Sequence, residues 1–222
     1  MINIKRFSGV MENPLIYRLW QAPFVRAKFA PIVKHNDVEQ VRRVLDVGCG
    51  PGINTAWFED KDYVGLDINE DYIETARQRF GREFVTADAR TYVAPQDARY
   101  DFILLNSFLH HIDTDNVHRI LRQLHGQLTP DGHVHIIELV VPERPCISRW
   151  LATNDRGDYP RPLEMWRTIF SDTFETLVFE PFTLRVCGVT LWDMVYFKGA
   201  AKVLHQQDGA SDSTNELVAG QV

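Results

Sequence analysis

Val44-Leu45-Asp46-Val47-Gly48-Cys49-Gly50-Pro51-Gly52 decides how this chain is read. An apolar run ends in an acid, glycine then recurs at every second position, and a helix-like segment follows. That order is expected where a buried parallel strand hands over to a tight turn closely approached by a ligand. Glycine admits positive φ there and carries no side chain to collide with the ligand.

Working outward, Val41–Val47 reads as the first strand and Ile53–Glu59 as the helix after the turn. Tyr63–Asp67 is a second strand ending in an acid. Asn69–Phe80 is a helix that Asn69 or Asp71 can cap and Gly81 can stop. Glu83–Asp88 is a third strand, again closed by an acid, and a polar connection covers Tyr92–Arg99. Tyr100–Asn106 has the apolar character of a strand buried on both faces. A helix over Asp113–Leu128, with Asp113 or Thr114 near its cap, leads to a turn at Thr129-Pro130-Asp131-Gly132. His133–Val141 is a fifth strand. Short strands alternating with helices predict a parallel sheet covered on both faces.

The flanks read differently. Residues 13–40 form two helices or one helix broken near Pro23, rich in aromatic and aliphatic side chains, ahead of the sheet. Residues 142–172 contain Pro142, Pro145, Pro160 and Pro162 and read as loop plus helices. Phe174–Val186 and Val189–Lys198 are two strands linked only by Cys187-Gly188, too short for a crossover helix, so they are antiparallel. The polar end is expected to be disordered. The expected organisation is a helical cap at 1–40, an α/β domain at 41–200 with an insertion at about 142–172, and a tail at 201–222.

The chain has 222 residues, 45% of them hydrophobic, and a net charge of −6, which argues against a broad nucleic-acid footprint. Its three cysteines match no metal spacing, and free thiols in a reducing cytoplasm are expected. No stretch approaches the roughly 18 apolar residues of a membrane span, and no signal peptide is read.

Three acids, Asp46, Asp67 and Asp88, end three successive strands around a glycine turn. Asp67 follows the first by about twenty residues, where a carboxylate can grip both hydroxyls of a ribose. The spacing Gly48-x-Gly50-x-Gly52 departs from the dinucleotide pattern G-x-G-x-x-G. Asp46–Gly52 resembles motif I of the class I S-adenosylmethionine (SAM)-dependent methyltransferases. Asp67, beside Ile68, falls on the family's ribose-binding acid. Asp88-Ala89 falls on the pair that reads the adenine edge, and Asn106-Ser107 on the position beside the methionine end of the cofactor. Leu128–His133 resembles the family's turn before strand five. The resemblance implies a doubly wound, Rossmann-like, seven-stranded and mostly parallel sheet in the order 3-2-1-4-5-7-6, with strand 7 antiparallel. It implies Asp46, Gly48, Gly50, Asp67, Ile68, Asp88, Ala89 and Asn106 as cofactor-binding residues, and S-adenosylhomocysteine as product.

The acceptor is less legible. A small, partly apolar molecule is expected, with O-methylation preferred and His110 or His111 as general base, since imidazole titrates near neutrality. Glu138, at the end of strand five, can orient a substrate or pair with an arginine. Tyr17, Arg18 and Trp20 can close over the cofactor, and Arg156 or Arg161 can bind an anionic acceptor group. His133 and His135 share a strand face but lack a third ligand by parity, so no metal is expected. A monomer or homodimer is expected. Two other classes stay open. One is a nucleic-acid methyltransferase, which the charge disfavours and which lacks the N-P-P-[YFW] signature at Asn106–Leu109. The other is a protein that binds SAM without transferring its methyl group, or that runs another reaction on this fold.

Overall fold

The computed structural model describes residues 24–95, 98–154 and 157–202. The expected helical pattern before residue 24 and the expected tail from 203 lie outside these residues. One seven-stranded sheet has the order β3-β2-β1-β4-β5-β7-β6. The strands are β1 (Arg43–Val47), β2 (Asp62–Asp67), β3 (Glu83–Thr86), β4 (Tyr100–Asn106), β5 (Leu128–Val140), β6 (Phe174–Val186) and β7 (Val189–Ala201). β1 to β5 pair in parallel, and β7 runs antiparallel to both β5 and β6. Order and direction follow the sequence reading.

The side-chain period of two divides the core into two layers. Leu45 and Val47 of β1 point to one layer, where α3 (Thr114–His125) and α4 (Leu163–Thr173) supply Val117, Ile120, Leu121, Trp166 and Phe170. Val44 points to the other, covered by Phe29 and Ile32 of α1 (Val25–His35) and by Ile73 and Ala76 of α2 (Glu70–Phe80). Asp46 shares the parity of Val44 and enters that second layer fully buried. The caps are those expected: Asn69 accepts from the Tyr72 N–H, and Asp113 accepts from the Asn116 N–H.

Two elements differ from the sequence reading. The segment after the glycine turn is a short 3₁₀ turn, Thr55–Phe58, rather than a helix over 53–59. Asn54 spends its side chain on Asp46, Phe58 is buried, and Trp57 stacks on Phe29 at 4.3 Å, so side-chain anchors set the path over a length suited to 3₁₀ geometry. The turn expected at 129–132 is instead drawn into β5 as a bulge. Leu128 pairs with Tyr100 and His133 with Phe102, so the intervening residues are accommodated without a break in the strand. The β6–β7 connection is a two-residue hairpin with positive φ at both Cys187 and Gly188, the pattern of a type I′ turn.

Candidate active site

Because β1, β2, β3 and β4 run parallel, their carboxyl ends emerge at one sheet edge. The chain continues from β1 to β2 on one side, while β4 lies on the other, which makes this edge a topological switch point. A cleft of about 420 Å³ opens there. Its walls are the glycine turn, the ends of β2 and β3, the segment after β4, and Asp158 and Tyr159 from the insertion.

Gly48 has φ +72°, and a β-carbon at this position would lie 2.6 Å from the Phe108 ring. Asp67 clamps the turn from outside: Oδ2 accepts from the Gly50 N–H at 2.8 Å and Oδ1 from the Asn69 N–H at 2.9 Å. Burial raises its pKa, and the N–H donors of Asn69, Gly50 and Ile68 oppose that shift without cancelling it. Ile68 is 65% exposed and lines the cleft with Ala89. A bare apolar surface beside a carboxylate is what a planar base attached to a ribose requires.

The other predicted residues sort into cleft walls and supports. Asp88 lines the cleft, but Arg90 holds its carboxylate through Nε at 2.9 Å and lowers its pKa. Asp46 is not a wall residue. Tyr63 donates to it at 2.8 Å and Asn54 at 3.1 Å, and burial pushes its pKa up to about 6. Asn106 bonds the same Asn54 at 3.0 Å, so Asn106, Asn54, Asp46 and Tyr63 form a polar chain beneath the turn.

His111 lines the cleft, but His110 is 4% exposed and stands behind it. His110 Nδ1 lies 2.7 Å from Glu138 Oε2, and the other carboxylate oxygen of Glu138 accepts from the N–H groups of Phe108 and Leu109. Gly157 packs directly on the His110 ring, in a space no β-carbon could share. Glu138 is therefore a buried anchor of the segment after β4 and not a substrate contact. Burial alone would raise its pKa; His110 and the Leu109 and Phe108 N–H groups outweigh this and lower it.

Arg161 is likewise no free anion receptor. It is buried, donates to the carbonyls of Leu109, Tyr159 and Ile112, and lies over the Trp166 ring. His135 is fully buried, stacked on Phe102 at 3.8 Å and bonded to the Tyr196 hydroxyl. Among the described residues, no group of three His, Cys, Asp or Glu is arranged to hold a metal. Tyr17, Arg18, Trp20 and Arg156 lie outside the described residues.

Residues 44–132 match the family described as Methyltransferase domain. This span runs from β1 through the turn at the start of β5 and contains every strand end of the cleft. The chain carries a class I SAM-dependent methyltransferase domain. A trans-aconitate 2-methyltransferase of Methylobacterium radiotolerans is 34% identical over 125 residues, covering 54% of this chain and 46% of the relative. A fatty-acid O-methyltransferase of Mycolicibacterium smegmatis is 41% identical over 75 residues, covering 31% and 27%. The chain thus spans about half or less of the length of these curated relatives. A solved SAM-dependent methyltransferase from Methanosarcina mazei superposes with a TM-score of 0.62 at 20% identity, covering 77% of this chain and 97% of that one, which shows the shared fold.

Around this cleft the sequence reading missed Asn54, Phe108 and Arg90, and on the helix ahead of the domain it missed Lys28. Lys28 carried a usable signal. Phe24, the residue that caps α1, and Lys28 and Ile32 within it are spaced by four, so the lysine falls in line with buried residues. No helix among the described residues is long and apolar enough to cross a membrane.

Proposed function

We propose that the chain binds SAM in this cleft and transfers its methyl group to an oxygen of a small molecule. The observation that supports this most is the pairing of Gly48 with Asp67: a turn stripped of side chains beside a carboxylate fixed by two backbone N–H groups. Asp67 would accept from the ribose hydroxyls, while Ile68 and Ala89 would flank the adenine. Asp88 would meet the base's amine on giving up part of its pair with Arg90. Bound there, SAM supplies an activated methyl group on a sulfonium. The chain's own part is to orient the cofactor and exclude water.

The acceptor oxygen is proposed to be a carboxylate. His110 is sealed beneath Gly157 and locked to Glu138, which leaves His111 as the imidazole on the cleft wall. Asp88 and Ala89, the proposed nucleoside end, line the same cleft. A carboxylate is already ionised at neutral pH and needs no base. Two relatives are named for carboxylic acids, trans-aconitate and fatty acid. The cap at 1–40 and the insertion at 142–172, whose Asp158 and Tyr159 reach the cleft, are proposed to enclose the acceptor.

Calorimetric titration with SAM and S-adenosylhomocysteine tests the cofactor half, with saturable binding of both expected; no binding by the intact chain would sink it. Labelled SAM offered with a panel of carboxylic acids and phenols tests the acceptor half. Alkali-labile label, released as methanol, is expected from the acids. Label that is stable to alkali would move the acceptor to a hydroxyl and restore His111 as base.

A further inference from the structure

We propose that Lys28 binds the carboxylate of the cofactor's methionyl end, so that helix α1 completes the SAM site. This rests on the reading of the cleft as a SAM site.

A second, smaller cavity of about 30 Å³ adjoins the cleft, and Gly48 lines both. Its other walls are Val25, Lys28, Cys49, Ile53, Asn54 and Asn106. With the adenosine against Asp67, Ile68 and Ala89, the rest of the cofactor has its path over Gly48 into this space. Its far end is a zwitterion at neutral pH, a carboxylate beside an ammonium. Lys28 is the one cationic side chain among the residues lining the small cavity. The space suits a group of a few atoms, and its polar walls suit a charged one.

The lysine is held in place from two sides. Its Nζ donates to Ser107 Oγ at 3.0 Å, and that hydroxyl donates to Asn106 Oδ1 at 3.2 Å. Ser107 is a non-glycine residue with φ 56°, an unfavourable conformation that points to a constraint at the end of β4. On the helix side, the neighbouring Phe29 is 1% exposed and stacks on Trp57 at 4.3 Å. Asp46, the acid of the polar chain, is engaged by Tyr63 and Asn54. A cation fixed before the ligand arrives binds an anion with less ordering cost.

The test compares SAM with decarboxylated SAM, which lacks only the carboxylate. Calorimetry on the wild type, on Lys28→Met and on Lys28→Arg separates the contributions, with apo melting curves checking that each variant folds. Lys28→Met is expected to weaken SAM about 10- to 100-fold, the worth of a charge-assisted hydrogen bond. It should leave decarboxylated SAM within about twofold, and Lys28→Arg should recover part of the loss. An equal loss for both ligands would make Lys28 a support of the segment after β4 and overturn the proposal. An unchanged SAM affinity would overturn it as well. Should the wild type bind neither ligand, the SAM reading itself fails, which is a separate result.

Discussion

Asp67 and Glu138 use the same device in two different places. Each carboxylate accepts from two backbone N–H groups, Gly50 and Asn69 for the first, Phe108 and Leu109 for the second. Asp67 stands on the cleft wall, and Glu138 is sealed beneath it. Their pKa values move in opposite directions, and the more deeply buried carboxylate is the one that is lowered. Desolvation wins at Asp67 and raises its pKa, whereas the adjoining His110 and the N–H donors reverse desolvation at Glu138. Burial alone therefore does not identify a working carboxylate at a sheet edge. What separates the two is whether the anion's partners are complete. Glu138 has an imidazole and a set of donors and faces no cavity, while Asp67 opens onto 420 Å³ of space.

The strongest way to break this contrast is Glu138→Ala. It strands His110 and two N–H groups in a sealed space, and a loss of about 3–5 kcal/mol in urea unfolding is expected. A variant that kept its stability but lost SAM affinity would place Glu138 at the ligand instead.

Next comes a pH experiment on the chain beneath the turn. The pKa of Asp46 is raised from 3.8 to about 6 in the folded state. For a raised acid, the folded state binds the extra proton. Its contribution is therefore complete below pH 3.8 and lost as pH rises through about 6, a change of about 3 kcal/mol. Glu138 has the opposite sign: its contribution is present above its ordinary value of 4.5 and lost as pH falls. These two groups together place the maximum where their windows overlap, between pH 3.8 and 4.5. Asp46→Asn should shrink the decline toward neutrality, leaving the smaller share that Asp67 contributes with the same sign, and keep the acid limb. Unfolding curves from about pH 2 to 8 check this, and an identical decline in the variant would remove Asp46 from the account.

Asp67→Ala is expected to act on binding. SAM affinity should fall about 10- to 100-fold, while stability stays within about 1 kcal/mol. Ligand donors favour the ionised form of Asp67, so wild-type affinity should weaken on acidification and the variant's should not. Calorimetry across pH measures both. A variant that unfolds but binds normally when folded would make Asp67 a support like Glu138.

The same contrast explains what the sequence revealed. Strand order, the antiparallel β7 and the cleft acids were legible because they rest on local patterns: apolar runs, glycine spacing, and the short link at Cys187-Gly188. The structure puts Gly48, Asp67, Ile68, Asp88 and Ala89 around one cleft. What misled was the assumption that a polar residue at the carboxyl edge faces the ligand. Asp46, Glu138, His110 and Arg161 all stand at that edge, and all are buried supports. Their partners come from distant segments: Tyr63 for Asp46, Gly157 over His110, and the carbonyls of Leu109 and Ile112 for Arg161. No local window contains such pairings. Thr129–Gly132 failed for a similar reason, since its turn composition was overridden by pairing of Leu128 and His133 with β4.

Ser107 joins the two regions and gives the smallest and finest test. It follows β4, donates its N–H to the Ile137 carbonyl at 2.7 Å, and holds Lys28 through its hydroxyl. Its φ of 56° disfavours any side chain by about 1–2 kcal/mol. Ser107→Ala removes the hydroxyl and keeps that cost, whereas Ser107→Gly removes both. Glycine loses more chain entropy on folding, by about 0.5–1 kcal/mol, so the two effects nearly offset one another. Ser107→Gly should therefore equal or exceed Ser107→Ala in stability by up to about 1 kcal/mol, the reverse of the usual preference for alanine. Both should weaken SAM by less than Asp67→Ala, because Lys28 remains. If Ser107→Gly were the less stable by more than that margin, the left-handed backbone would not be the constraint. The hydroxyl, absent from both variants, is read separately, from the loss between the wild type and Ser107→Ala.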